Sequence, residues 1–485
     1  MTKKNSIKKN YLFNLFYQIL TMIVPLITTP YLSRVLGAEN IGIYSYTLSI
    51  ASYFILFGAM GTAMYGQREI AYLQDDRYKR SKTFFEIIIL RFITMGISLL
   101  IFYVTFATHG QYSMYYKILL LEIIANCFDI SWFLQGLEEF KKTVIRNSIV
   151  KLISVICIFL FVKTSENLVQ YFFIYVLSTL LGNVSLWIYL PKFLENVKFN
   201  ELNIFRHLKP TTLLFIPQIA AQIYTVLDKT MIGIIISDKS EVGFYEQAQK
   251  ITKILIMITT SLGTVMVPRI SNAFAKGENE RIKEYMNKSF KFVMLLAFPL
   301  MLGTISISKK FVPIFFGEGY QNVVYIINVI IPIVLAIGLS TILGTQYLLP
   351  TKKQKEFTTS IICGALVNLC FNFIFIKLWQ SIGATIATVL AEFTVTGVQF
   401  YIVRREFPIN NVIKYGKNYI LSSAIMFIIS LCIGAIIKNV YISLITQIII
   451  SMISYFGILL LMRDELIIEM VDSLKSKIKI SPIIK

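Results

Sequence analysis

The chain has 485 residues, of which 56% are hydrophobic and only 15% charged, and it carries a formal net charge of +20. An average soluble domain is roughly 45–50% apolar and about 25% charged, so a water-soluble globule is excluded. Apolar runs of about 20 residues recur from end to end, each long enough to cross a hydrocarbon core roughly 30 Å thick.

Fourteen candidate spans begin near Tyr11, Ile41, Phe84, Ser113, Asn147, Asn167, Pro210, Gly243, Ser289, Asn322, Phe357, Gly383, Lys417 and Val440. The first follows Lys3, Lys4, Lys8 and Lys9 but lacks a small-residue cleavage pattern, so it is expected to be a retained helix. Alternate connections differ sharply in charge. One set carries that tail and basic runs such as Arg68 to Lys82, Lys141 to Arg146, Lys192 to Lys209, Arg269 to Lys291 and Arg463 to Lys485, whereas the other holds only Arg34, Lys163, Lys239, Lys309, Lys310, Lys377 and Lys438. Cytoplasmic loops carry the Lys/Arg excess, which predicts both termini inside a cell membrane and an even span number. The same asymmetry gives the net charge a topological meaning, so no nucleic-acid partner is expected. The basic and apolar mixtures at Pro191 to Lys209 and Arg269 to Lys288 suit interfacial helices.

Cys127, Cys157, Cys363, Cys370 and Cys432 all lie in apolar runs, as small core residues do. His109 and His207 are far apart, with no ligand-spaced cluster around them. No metal or cofactor is therefore expected.

An offset of 201 residues places Gly42, Tyr44 and Ile50 on Gly243, Tyr245 and Ile251, and Arg68 on Arg269. Six spans per repeat is an even number, so the repeats run parallel. The expected fold is an all-α polytopic membrane protein: a lobe over residues 1–195, an amphipathic linker over 196–209, a second lobe over 210–405, two extra spans over 406–462 and a basic tail over 463–485. The segment PYLSRVLGAENIGIYSYTLSI from Pro30 to Ile50, its counterpart LDKTMIGIIISDKSEVGFYEQAQKI around Asp228, and VPRIS at Val267 to Ser271 resemble the polysaccharide flippases of the multidrug/oligosaccharidyl-lipid/polysaccharide (MOP) exporter superfamily. The resemblance covers nearly the whole chain. It implies an O-antigen or capsule-repeat-unit (Wzx-type) flippase rather than an enzyme, one that moves an undecaprenyl-diphosphate-linked oligosaccharide from the cytoplasmic to the outer leaflet of a bacterial membrane, with membrane lipid and polysaccharide polymerase and export machinery as further partners.

An ionisable group at mid-bilayer costs at least roughly 2.5–3.5 kcal/mol, so it faces a cavity or a partner. Polar residues recur at helical spacing in several spans: Asn14, Gln18, Thr21, Pro25 and Thr28; Gln218, Gln222, Thr225 and Lys229; Glu246, Lys250, Lys253, Thr260 and Thr264; Glu122, Asn126 and Asp129; and Thr385, Thr388, Glu392, Thr396 and Gln399. Such stripes are expected to line a shared polar space. For a diphosphate cargo, Lys229, Lys250 and Lys253 lead as neutralising cations, followed by Arg91 and Lys117. Asn14, Gln18, Gln218, Gln222 and Thr225 offer amides and hydroxyls to sugars. The same charges also read as helix-holding ion pairs, Glu246 with Lys250 and Asp228 with a nearby cation. Arg34, Arg68 and Arg269 sit at span ends, as gate or topology residues do.

The sequence contains no GxxxxGK[ST] loop, so energy is expected from H⁺ or Na⁺ acting at Asp129, Asp228, Glu246 or Glu392. Three rivals remain. A glycosyltransferase or repeat-unit polymerase would need larger external loops than Ser33 to Asn40. A drug or cation exporter would need an acidic cavity. A peptidoglycan-precursor or teichoic-acid flippase would share both fold and cavity charge.

Overall fold

The computed structural model describes residues 3–480, with side chains described except at 3–16, 18, 217, 220, 221, 223, 224, 264, 409–411, 413 and 473–480. The described residues are helical with short connections: α1 Lys3–Ala59, α2 Thr62–Tyr72, α3 Arg77–Phe102, α4 Ser113–Cys127, α5 Ser131–Gly136, α6 Phe140–Phe161, α7 Leu168–Ser185, α8 Leu208–Ile235, α9 Ser240–Thr260, α10 Gly263–Ala275, α11 Asn279–Phe316, α12 Gln321–Ile330, α13 Ile333–Ser340, α14 Gln354–Val403, α15 Ile409–Ile436, α16 Val440–Leu461 and α17 Glu465–Ile480. Backbone groups in hydrocarbon have no water to bond, and the helix satisfies them within one segment. Ten helices among the described residues are long and apolar enough to cross a membrane, or eleven when the bent pair Ser240–Thr260 and Val265–Ala275 is one span. The chain is a multi-pass membrane protein.

Two of the long helices contain breaks where the sequence places a connection between spans. In α1 the break is Gly37, at φ 77° and ψ 170°. That backbone conformation is open to glycine and strained for other residues. In α14 the break falls at Trp379 and Gln380, the latter at φ 53°. The expected external loop Ser33 to Asn40 is thus a one-residue kink within continuous helix.

The helix breaks repeat along the chain. The α1–α2 break at Met60–Gly61 lies 201 residues before the α9–α10 break at Ser261–Leu262, and α2 and α10 begin 201 residues apart, at Thr62 and Gly263. A second pair of breaks follows, between α4 and α5 and between α12 and α13, the latter at Ile331–Pro332. The proline lacks the N–H that would continue the helix.

The chain divides into two compact units at Gly243–Phe244. The core of the first includes an aromatic cluster of Phe84, Trp132 and Phe133 and a longer one with Phe102, Tyr116 and Phe172. In the second unit, Met286, Phe290, Val293 and Met294 of α11 pack with Ile342, Leu343, Tyr419 and Tyr455. Tyr455 Oη donates to Leu295 O at 2.8 Å and ties α16 to α11.

The segment from Pro191 to Lys209, expected to be an interfacial helix, forms short 3₁₀ turns over Leu186–Lys192, Phe199–Glu201 and Ile204–His207. Side chains of α3 take the backbone bonds that a helix would have used. Arg80 Nη2 donates to Phe193 O at 2.7 Å, Arg77 Nη2 to Leu194 O at 3.0 Å, and Glu86 Oε1 accepts from Asn203 N at 2.7 Å.

Candidate functional site

In the first unit, α8 runs against the second half of α1. Ser49 Oγ and Thr230 Oγ1 lie 2.9 Å apart and fix the register. The close approach depends on Gly233, where a Cβ would stand 2.0 Å from the Tyr46 ring. On α8, Gln218, Gln222 and Lys229 are half-buried, Thr225 is exposed and Asp228 is buried. Asn14 and Gln18 lie outside the described side chains, as does Thr264.

Arg91, ranked as a reserve cavity cation, is 2% exposed. Its Nε and Nη2 donate to Asn126 O at 3.1 and 2.7 Å, and Nη1 donates to Thr62 Oγ1 at 3.0 Å. The guanidinium fork therefore joins α3 to the end of α4 and the start of α2. Asp129 sits in the break beside it, where Oδ1 accepts from Ser131 N, the first residue of α5, at 2.9 Å. Asn126 Nδ2 donates to Glu122 O at 2.9 Å, and Glu122 is 4% exposed.

Arg146 belongs to the same polar interior, although by sequence it counts as a loop cation. Its Nη1 donates to Asn183 Oδ1 at 3.2 Å, and Asn183 Nδ2 donates to Ala125 O at 2.7 Å. Gly182 brings α7 close to α6, since a Cβ there would lie 3.0 Å from Val150 Cγ2. The available signal is the lone Gly182–Asn183 pair within an apolar span. Lys117 is exposed, as are Arg34, Arg68 and Arg269. Arg68 pairs with Glu69 at 3.1 Å and lies over the Tyr65 ring at 5.4 Å.

In the second unit, Lys250 Nζ lies 4.0 Å from Glu246 Oε1, one turn away, while Lys253 is exposed. The α14 stripe faces protein. Thr385, Thr388, Glu392, Thr396 and Gln399 are all buried. Thr388 Oγ1 lies 3.1 Å from Tyr245 Oη, which accepts from Gln249 Nε2 at 2.8 Å. Thr396 Oγ1 donates to Ala336 O at 2.9 Å, and Gln399 Nε2 to Ser360 Oγ at 3.0 Å. This stripe meets α9, α13 and the first half of α14. An apolar groove of about 400 Å³ opens in the same unit, lined by Leu255, Ile258, Leu296, Pro299, Met426 and Met452 among others.

Two of the few lysines assigned to the sparsely charged side close helix ends. Lys239 Nζ donates to Gly233 O at 2.7 Å and Ile236 O at 2.9 Å at the end of α8. Lys310 Nζ donates to Gly434 O and to Ser443 Oγ at 2.6 Å, at the end of α15. A cation there meets unsatisfied carbonyls and the negative end of the helix dipole. Burial lowers the Lys239 pKa, against the opposing charge of Asp238. Among the described residues no group of three or more His, Cys, Asp and Glu is placed to hold a metal ion.

The helical fold is shared with solved transporter structures. The chain superposes on a structure described as "Lipid II flippase MurJ, inward closed conformation" with a TM-score of 0.77 and 19% identity, covering 94% of this chain and 100% of that one. An inward-facing multidrug resistance MATE transporter of the MOP superfamily gives 0.58 at 14% identity, covering 81% and 99%. The chain belongs to the polysaccharide biosynthesis protein family, whose model matches residues 7–274; the MatE family model also matches residues 214–374. It is 26% identical to a putative O-antigen transporter of Escherichia coli K12, over 83% of this chain and 98% of that protein. A putative O-antigen transporter of Shigella dysenteriae is 23% identical over 79% and 97%. The lipid II flippase MurJ of Bacillus subtilis matches at 24% over 32% and 29%.

Proposed function

We propose that the chain is a flippase for a lipid-linked oligosaccharide, and more narrowly that it carries an undecaprenyl-diphosphate-linked repeat unit from the cytoplasmic to the outer leaflet for surface polysaccharide synthesis. The observation that carries this reading is the nearly end-to-end similarity to putative O-antigen transporters. The apolar groove beside α9, α11, α15 and α16 supports it, because a polyprenyl tail needs a path that excludes water. The proposed topology has fourteen spans with both termini cytoplasmic. Lys229, Lys250 and Lys253 neutralise the diphosphate, and Gln218, Gln222 and Thr225 contact sugar. Asp129, Asp228, Glu246 or Glu392 couples the cycle to H⁺ or Na⁺. The peptidoglycan-precursor reading is second, because the Bacillus subtilis lipid II flippase matches only part of the chain.

The test is surface polysaccharide in a deletion strain complemented with a Lys229→Gln, Lys253→Gln variant, measured beside protein abundance. Glutamine keeps a polar head and removes the charge. Loss of polysaccharide at normal abundance supports the reading, and normal polysaccharide removes the proposed cations.

A further inference from the structure

A polar cavity of about 460 Å³ opens in the first unit. It is lined by Tyr65 and Glu69 of α2, Lys79, Lys82 and Thr83 at the start of α3, and Arg206 and His207 of the connecting turn. Its back wall is a closed network. Glu86 is fully buried, accepts from Asn203 N and from Arg206 Nη2, and lies 2.8 Å from His207 Nε2. Tyr65 Oη lies 2.9 Å from His207 Nδ1. Arg206 Nε also reaches His207 Nε2 at 3.2 Å, so Glu86 and Arg206 both meet that ring nitrogen while Tyr65 holds the other.

The mouth is cationic. Lys79 is 71% exposed on its side chain and Arg206 46%, while Lys82 is half-buried beside them. Glu69 is engaged by Arg68, the back-wall Glu86 by Arg206, and Lys79 shares its charge with Asp76 at 3.0 Å, which leaves Lys82 in excess. The surplus is positive, which suits a phosphate.

The surroundings point to a lipid as its source. Phe199 and Phe205, on the same turn segment as Arg206, are 75% and 69% exposed. Arg77 and Arg80 hold that segment to α3 by backbone carbonyls, and Tyr78 Oη donates to Glu201. The aromatic rings are therefore presented on a fixed scaffold. Aromatic side chains beside clustered Lys and Arg are the composition of a bilayer interface contact. We propose that this cavity binds the headgroup of an anionic phospholipid, with Phe199 and Phe205 seated in the adjoining interface. The inference is independent of the transported cargo.

The experiment uses the full chain purified in detergent, with native mass spectrometry counting bound phosphatidylglycerol and phosphatidylcholine. Wild type is expected to hold phosphatidylglycerol about 20-fold more tightly than a Lys79→Ala, Lys82→Ala variant, as two cations near an anionic headgroup imply. A Lys283→Ala, Lys288→Ala variant removes the same charge elsewhere and is expected to bind as wild type does. Equal losses in the two variants would reduce the site to diffuse electrostatics and overturn the proposal. A Phe199→Ser, Phe205→Ser variant changes exposed residues and is expected to weaken phosphatidylglycerol as well; unchanged binding overturns the lipid assignment. Inorganic phosphate competes as the second arm, and if it displaces bound phosphatidylglycerol at equal concentration the site takes a free anion rather than a lipid.

Discussion

Gly42 and Gly243 touch each other's neighbourhoods reciprocally. A Cβ on Gly42 would stand 1.7 Å from Lys239 O, and one on Gly243 would stand 2.0 Å from Ala38 O. The two carbonyl residues, like the two glycines, are 201 apart, so one contact is made twice by equivalent positions of the repeat. Both collisions are with backbone, which has no rotamer to yield. Gly42→Ala and Gly243→Ala are each expected to cost about 1–3 kcal/mol, as overpacking does. Gly96→Ala and Gly397→Ala, where nothing lies within 4 Å, are expected to be neutral or to gain up to about 1 kcal/mol. Thermal unfolding in detergent checks all four, and equal melting temperatures would refute the contact.

The Arg91 fork is expected to matter for folding rather than for cargo. Arg91→Lys keeps the charge and loses the paired donation to Asn126 O. A loss of about 1–3 kcal/mol is expected from a buried acceptor left short of donors. Membrane abundance should fall, while transport per molecule stays near wild type. Transport per molecule falling at full abundance would contradict this.

His207 is expected to make the first unit acid-sensitive. Burial lowers its pKa below the ordinary value, with Glu86 opposing and Arg206 reinforcing. In the unfolded chain the ring takes a proton near pH 6.5. The folded ring resists until lower pH, so its contribution to stability is complete above about pH 6.5 and is lost as pH falls towards the folded pKa. The melting temperature of wild type should therefore drop between about pH 6.5 and pH 5 more steeply than that of His207→Gln. Parallel profiles would rule out this origin.

Lys239 and Lys310 are expected to act as helix C-caps. Lys239→Met and Lys310→Met should each cost about 1 kcal/mol by leaving carbonyls without donors. The two lysines share no hydrogen-bond partner, so the double variant should show additive losses. A cooperative deficit would disprove independent capping.

The membrane class, the helical fold and the 201-residue repeat were legible in the sequence because hydrophobic length and repeated glycine spacing are local properties of the chain. Glycine marked the places where backbones meet without saying what they meet; only the folded chain put Lys239 O over Gly42. Charge was less legible still. Arg91 read as a cavity cation and Arg146 as a loop cation, yet their partners Asn126 and Asn183 lie 35 and 37 residues away on other helices. The Thr385 to Gln399 stripe had the spacing of a cavity face, yet it bonds to Tyr245, Ala336 and Ser360. Helical periodicity fixes which residues share a face. What that face meets depends on packing between segments distant in sequence, and that the tertiary structure alone decided.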